Sequence, residues 1–443
     1  MLPAMKLETI FQHSLEQHHQ AGGRIVLALS GGLDSRVMLE LMASYCKSRK
    51  LECLAVHVHH GLSENADSWA QQCEHWCQEL GVAFVLEKVQ LATQGRSIEE
   101  SAREARYTAL KKHLQQNDLL LTGQHADDQL ETFFLALKRG SGPKGLSSMA
   151  QKMPLNHANL LRPLLTISRH EIEEFARTNQ LAWVEDESNQ DQRFERNFVR
   201  HSLTPALVER WPYIRQAVQR TAELCSEQEQ LLDELLAEKY LQCLCDDGSL
   251  SIAMLENAST LIRSRLIRMW LGQHQLRMPT REQLSKMWLE VAMAKADANP
   301  QLQLPEVQVR RYLNKLYIVR NWQSLEQWQQ SLDIDKPCTL PDRLGSLTLV
   351  PSTKGRLSQR ALAQSPLRVT FNPEGLSAHP AERGHSRKLK KLFQEYGVPS
   401  WLRRRTPILM CGERVVAVGD LFIDRQFIGQ DCELIWDKRK RFM

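Results

Sequence analysis

IVLALSGGLDSRVM, residues Ile25 to Met38, sets the frame for the whole chain. A continuous apolar run, "IVLAL", leads into a loop of small residues and then into the start of a helix. Strands buried on both faces of a parallel sheet read as continuous apolar runs rather than alternating ones. The order strand, small-residue loop, helix suits an anion held at a helix N-terminus, where N–H groups and the helix dipole favour negative charge. The lysine-containing phosphate loop, G-x-x-x-x-G-K-[ST], does not occur in the chain, so no loop lysine serves γ-phosphate chemistry. The loop supplies a carboxylate, Asp34, instead. A carboxylate beside phosphates repels them unless a divalent cation lies between. Asp34 therefore predicts magnesium, held by the carboxylate together with phosphate oxygens. That fits cleavage at an α-phosphate, with pyrophosphate left in the loop of Ser30, Gly31, Gly32, Leu33, Asp34 and Ser35.

Outward from this loop, residues 24–136 alternate strand-like and helix-like segments. "LECLAVHVHHG" and "VAFVLEKV" read as strands, with "ENADSWAQQCEHWCQELG" between them as a helix closed by Gly81. "SIEESAREARYTALKKHLQQ" reads as a helix with Ser97 and Glu100 as its capping box. "DLLLTGQH" is a strand and "ADDQLETFFLALKRG" a helix. Strict alternation predicts an α/β fold with a doubly wound parallel sheet. Such sheets bind ligands beyond the carboxyl ends of their strands. Three polar clusters lie at those ends: 30–35, 57–61 and 123–128.

The pattern changes after about Trp211. "IRQAVQRTAELCSEQEQLLDELLAEKYLQCL" is a long amphipathic helix, and "MPTREQLSKMWLEVAMA" another, capped by Thr280 with Gln283. The stretch 213–328 is expected to be an all-helical domain. Residues 329–443 then read as a linker and a small α+β domain. It holds a basic helix ending at Gly397 and a hairpin turning at "CGER". The first domain is expected to span 1–212.

The chain has 443 residues, enough for several domains, and a formal net charge of +5. No apolar run reaches about 18 residues and the N-terminus lacks a secretory pattern, so a membrane partner is not expected. Ten scattered cysteines form no C-x-x-C pair and no zinc spacing, which fits free thiols in a cytoplasmic protein. Cys73/Cys77 and Cys243/Cys245 are close enough to matter only for sulfur transfer. Between Arg383 and Arg405 stand eight Lys or Arg residues and one acid, Glu395. That excess points to an anionic partner such as nucleic acid, or to a solvated helix face.

"SGGLDS" resembles the S-G-G-x-D-S loop of the PP-loop ATP pyrophosphatases, which split ATP into AMP and pyrophosphate while adenylating an oxygen of a second substrate. Four further segments resemble the tRNA(Ile)-lysidine synthetases: "HVHHGL" at 57–62, "TGQHADDQLETFFLALKRGSGPKGLSSM" at 122–149, "EDESNQDQRFERNFVRHSLTPAL" at 185–207 and "SRKLKKLFQEYGVPSWLRRRTPIL" at 386–409. They run in order over nearly the whole chain, which is identified as a member of that family in its long bacterial form. The resemblance implies adenylation of C2–O of the wobble cytidine in the CAU-anticodon isoleucine tRNA. Free L-lysine then displaces AMP, and the codon read changes from AUG to AUA. A homodimer is a plausible assembly.

By the same resemblance, Asp128 and Glu131 bind the lysine or orient its attacking amine, and Glu131 is the candidate general base. Asp127 and Glu131 share a helix face, and Asp127 is a further candidate for substrate or tRNA binding, with helix capping as its alternative. His125 is either a satisfied polar residue or a contact to ATP or cytidine. His59 stands in the nucleotide-binding segment where the family often has asparagine. Arg103 and Arg106 both suit the α-phosphate, and the family's R-Y pair selects Arg106. Arg196 and Arg200, in R-N-x-x-R, read as phosphate or tRNA contacts or as a structural clamp. Arg387, Lys388, Lys390, Lys391 and Arg403 are expected on the tRNA backbone, and Trp401 on a terminal base or in the core. The rival readings are a PP-loop tRNA thiolase, which would need a cysteine sulfur carrier, and a non-catalytic RNA-binding relic.

Overall fold

The computed structural model describes residues 7–61, 63–90, 98–187, 191–274, 276–295 and 298–438. The chain forms two compact units, residues 1–232 and 233–443. The capping residue Ser97, and Ser188 and Asn189 of the third family segment, lie outside the described residues.

The first unit opens with helix α1 (Leu7–His18) and strand β1 (Ile25–Ala28), followed by α2 (Leu33–Arg49) and β2 (Cys53–His59). Then come α3 (Ala66–Leu80), β3 (Ala83–Lys88), α4 (Ile98–Lys112), β4 (Leu119–Leu121) and α5 (Ala126–Lys138). A short α6 (Pro143–Leu146), the pair β5 (Lys152–Leu155) and β6 (Ala158–Leu161), and α7 (Arg169–Thr178) complete the α/β part. Gly81 ends α3 in the left-handed conformation, as its sequence position predicts.

The sheet order is β3-β2-β1-β4-β6-β5. All pairs are parallel except the edge pair β5–β6. Helices cover both faces, which is why β1 is apolar at every position. Ile25 and Leu27 enter one core layer with Val37, Met38 and Trp76, while Val26 enters the other with Leu110 and Leu120. Strand order reverses between β1 and β4, so the two loops leaving their carboxyl ends diverge and open a crevice. The SGGLDS loop leaves β1 there, and the segment 122–128 leaves β4. Beyond α7, a short helix α8 (Glu195–Phe198) runs through a π-helical turn, Val199–Leu203, into α9 (Thr204–Arg210), and α10 (Ile214–Cys243) follows.

The second unit departs from the all-helical expectation for 213–328. Helices Thr260–Gln273 and Arg281–Lys286 are present, the latter capped by Thr280 with Gln283 in reciprocal hydrogen bonds. They pack on a four-stranded sheet of β7 (Leu250–Ser251), β8 (Gln301–Gln303), β9 (Val307–Tyr312) and β10 (Lys315–Arg320), in order β7-β10-β9-β8. β9 and β10 form a hairpin whose turn residues, Leu313 and Asn314, both have positive φ. These strands are short, and charges interrupt their alternation, so periodicity alone does not reveal them. The C-terminal part is α+β. Its five-stranded antiparallel sheet contains Ile408–Cys411 paired with Arg414–Val418 across the predicted CGER turn. The basic helix is Leu389–Glu395, and Gly397 follows it with φ +68°. No helix among the described residues is long and apolar enough to cross a membrane.

Candidate active site

The SGGLDS loop folds around the hydroxyl of Ser35. Ser35 Oγ accepts the backbone N–H groups of Ser30 (3.2 Å) and Gly31 (3.1 Å), and donates to the Gly32 carbonyl (2.9 Å). Gly31 has φ +89°, and a Cβ there would lie 3.1 Å from Cys73 Sγ. Gly32 is the N-cap of α2 and brings no side-chain cap, so the first-turn amides of this 17-residue helix remain available to an anion. Gly123, leaving β4, packs against Asp34: an added Cβ would meet Asp34 Cβ at 3.3 Å. The glycine lets the two strand ends close on one another.

Asp34 is partly exposed at the mouth of this loop. Arg169 Nη1 lies 2.9 Å from each of its carboxylate oxygens, and Arg169 Nε reaches Glu173 (3.1 Å). Ser168 and Glu171 form a capping box that starts α7 and so delivers Arg169 to the site. The backbone N–H of Arg169 donates to Asp127 Oδ2 (2.8 Å), and Arg215 Nε donates to Asp127 Oδ1 (2.6 Å).

His125 is the N-cap of α5. Its Nδ1 accepts the Asp127 N–H (3.2 Å), and Asp128 Oδ2 accepts the His125 N–H (3.1 Å). With Nδ1 an acceptor, the ring proton sits on Nε2. That nitrogen faces Asp128 Oδ2 at 3.4 Å and Asp34 Oδ1 at 3.7 Å. One turn further, Glu131 is 1% exposed. Arg200 Nε donates to Glu131 Oε1 (2.7 Å), while Glu131 Oε2 accepts from Arg196 Nε (2.7 Å) and Arg200 Nη2 (3.1 Å). Both arginines also reach Asp128 Oδ1, at 3.1 and 3.2 Å.

Burial would raise the Asp128 carboxyl, but the His125 ring facing it, the charges of Arg196 and Arg200 and the His125 backbone N–H outweigh it and hold the group below the usual carboxylate range. Burial likewise opposes the charge on Arg200, yet hydrogen bonding to Glu131 leaves its guanidinium above its ordinary value. Buried ions persist only when paired in this way.

The structure thus brings together Ser30 to Ser35, His125, Asp127, Asp128, Glu131, Arg196 and Arg200. Arg196 and Arg200 clamp the acids rather than stand apart from them. Arg169 and Arg215 complete the cluster, and sequence reading had not singled them out. They lie 42 and 88 residues from Asp127, and only the S-x-x-E box beside Arg169 marks its neighbourhood.

His59 ends β2 with Nε2 3.3 Å from Asp67 Oδ1. Arg106 is exposed on α4, and its charge acts on His60, whose imidazole is pushed down to about 4, chiefly by burial. His57 is buried and bonded through Nδ1 to the Leu29 carbonyl (2.9 Å), next to the loop. Burial pushes the Cys73 and Cys77 thiols up to about 12, which leaves them protonated and unsuited to carrying sulfur.

In the second unit, Lys388, Lys390 and Lys391 are exposed and have no acidic partner among the described residues. Arg387 pairs with Glu395 (2.7 Å). Arg403 Nε donates to the Val398 carbonyl (3.0 Å). Trp401 is half-buried, edge-on to Tyr312 with centroids 6.1 Å apart.

Magnesium is compatible with this site. Among the described residues no group of three or more His, Cys, Asp or Glu could hold a metal by itself. A single carboxylate at an uncapped helix N-terminus matches a cation that takes one or two protein ligands and completes its shell with phosphates and water.

Comparison with known proteins agrees with this architecture. Residues 4–207 match the PP-loop domain family, 250–317 the TilS substrate binding domain and 367–438 the TilS substrate C-terminal domain. A tRNA(Ile)-lysidine synthase of Vibrio vulnificus (strain CMCP6) is 59% identical over 430 residues, covering 97% of this chain and 98% of the relative. Proteins of the same name from Vibrio cholerae (strain O395) and Photobacterium profundum are 53% and 50% identical. These alignments cover 98% and 93% of this chain, and 98% and 95% of the relatives. With three family domains in order and such identity along nearly its full length, the chain belongs to the tRNA(Ile)-lysidine synthase family of enzymes.

Proposed function

We propose that this enzyme ligates free L-lysine to C2 of the wobble cytidine of CAU-anticodon tRNA(Ile), consuming ATP and releasing AMP and pyrophosphate in the cytoplasm. The observation that carries the proposal is the contact of His125 with both Asp34 and Asp128. It joins a nucleotide loop to a cluster of buried acids in one crevice.

Ser30 to Ser35 and the α2 N-terminus would hold the phosphates, with Asp34 as the magnesium ligand. Magnesium, when bound, neutralises phosphate charge there. The cytidine oxygen takes the adenylyl group as the α–β phosphate bond breaks. The lysine amine then attacks C2 and AMP leaves. Asp128 and Glu131 would receive the cationic lysine in exchange for their arginine partners, since a carboxylate pair recognises an ammonium by charge-assisted hydrogen bonds. Arg196 and Arg200, once released, become available to phosphate. Arg106 serves the α-phosphate, and Glu131 accepts the amine proton. The segments 213–328 and 329–443 bind the tRNA, with Lys388, Lys390 and Lys391 on its backbone.

The direct test is a nucleoside digest of the tRNA after incubation with ATP, magnesium and lysine. A cytidine heavier by one lysine less water supports the proposal, and unmodified cytidine overturns it.

A further inference from the structure

Away from the acid cluster, the second unit carries a cavity of about 350 Å³ between the β9–β10 hairpin and the 401–405 turn. Its volume lies at the lower end of the roughly 300–1,000 Å³ of small-molecule sites. Four arginines line it: Arg310, Arg320, Arg404 and Arg405. Two of these are neutralised. Arg404 pairs with Glu326 and Glu374, and Arg405 pairs with Asp342 (3.0 Å). Arg310 and Arg320 have no carboxylate partner among the described residues.

Arg310 is nevertheless fixed. Its Nε and Nη2 donate to Gln308 Oε1 (2.9 and 2.7 Å), and its guanidinium lies over the Trp401 ring, 5.8 Å from the centroid. Trp401 itself packs against Tyr312 and Tyr317. A half-buried cation has thus been oriented by neutral groups and left without a counter-ion, an arrangement that favours an anionic ligand. The same cavity contains Trp322, 42% exposed, with Arg405 over its ring at 4.4 Å. An anion site beside an open indole matches a phosphate joined to a flat base.

We propose that this cavity holds one unpaired nucleotide of the tRNA substrate, its phosphate on Arg310 and Arg320 and its base against Trp322. The proposal rests on the tRNA reading above. A cavity of this size admits one nucleotide and not a duplex, and a base presents its face to an indole only when unstacked. Trp401, whose ring already meets Arg310 and two tyrosines, supports the arginine rather than the base.

The test uses the full chain and a CAU-anticodon tRNA(Ile) transcript, with acylation of ribose 2′-hydroxyls as the probe of unpaired nucleotides. The wild-type chain should protect one unpaired nucleotide that Arg320→Gln and Trp322→Ala leave reactive, with the remaining footprint intact. Arg320→Gln should also weaken tRNA binding by roughly three- to tenfold and lower the salt slope by about one. Arg320 is exposed on a strand, so its substitution does not threaten folding. Identical footprints for wild type and both variants overturn the proposal. So does loss of AMP binding in Arg320→Gln, read by equilibrium dialysis, with the tRNA footprint unchanged, since the cavity then serves a free nucleotide. Absence of lysine transfer by the wild-type chain would instead count against the tRNA ligase reading itself.

Discussion

His125 Nε2 stands 3.7 Å from Asp34 Oδ1, across the crevice that separates the β1 loop from the β4 loop. The same ring caps α5 through Nδ1, so one side chain starts the helix that carries the acids and fixes their distance from the nucleotide loop. These two roles are separable. Asparagine is a good N-cap but too short to bridge the carboxylates. His125→Asn should keep stability within about 0.5 kcal/mol, whereas His125→Ala should lose about 1 kcal/mol with the cap. Both should lower lysine transfer by about 100-fold, the range of a lost positioned proton donor. Urea unfolding and a transfer assay read the two effects. Full activity in His125→Asn would reduce the residue to a cap.

Glu131 is enclosed by two guanidinium groups, and its assigned work comes after adenylation. Glu131→Gln should therefore still release pyrophosphate in the presence of tRNA while lysine transfer falls by at least about 100-fold. Equal loss of both steps would place Glu131 in adenylation and contradict its pairing with lysine.

Gly31 is constrained by its backbone and by its neighbour Cys73. An alanine at φ +89° costs about 1–2 kcal/mol and brings Cβ against Cys73 Sγ. Gly31→Ala should raise the KM for ATP about tenfold. Adding Cys73→Ala removes the sulfur but not the φ strain, so the double variant should recover little. Complete recovery would show that crowding by Cys73, rather than backbone conformation, sets the loop.

Asp118 accepts hydrogen bonds from the backbone N–H and guanidinium of Arg24 and from the Gln115 N–H, and is 1% exposed. Burial raises its carboxyl, but these bonds and the Arg24 charge bring it below its ordinary value. A carboxyl lowered in the folded state stabilises above its unfolded pKa, about 3.9, and that contribution fades as pH falls through the folded value. Asp118→Asn should destabilise the first unit by about 2–3 kcal/mol at pH 7, because it leaves a partly buried cation unpaired. The gap to wild type should narrow below about pH 4. A gap independent of pH would mean that the carboxylate charge is not what matters.

Local patterns in the sequence exposed the catalytic half of the fold. β1 is apolar throughout because helices cover both sheet faces, and SGGLDS has few other uses between a strand and a helix. The acids Asp127, Asp128 and Glu131 were visible as a cluster for the same local reason. Their partners were not. Arg169 and Arg215 reach Asp127 only through tertiary folding, and nothing in their own neighbourhoods marks an acid as their destination. The β7–β10 sheet stayed hidden because strands such as Val307–Tyr312 and Lys315–Arg320 mix apolar and charged residues without a clean period of two. Trp322 and Arg320 belong to a cavity that exists only once the hairpin meets the 401–405 turn.

The measurement that bears most directly on the central claim uses purified protein, ATP, magnesium, radiolabelled lysine and a CAU-anticodon tRNA(Ile) transcript. Label should enter the tRNA only with ATP and only when the wobble base is cytidine, and Asp34→Ala should abolish it. AMP released in a tRNA-dependent way, with no label in the tRNA, would keep the adenylation chemistry but contradict lysine as the nucleophile.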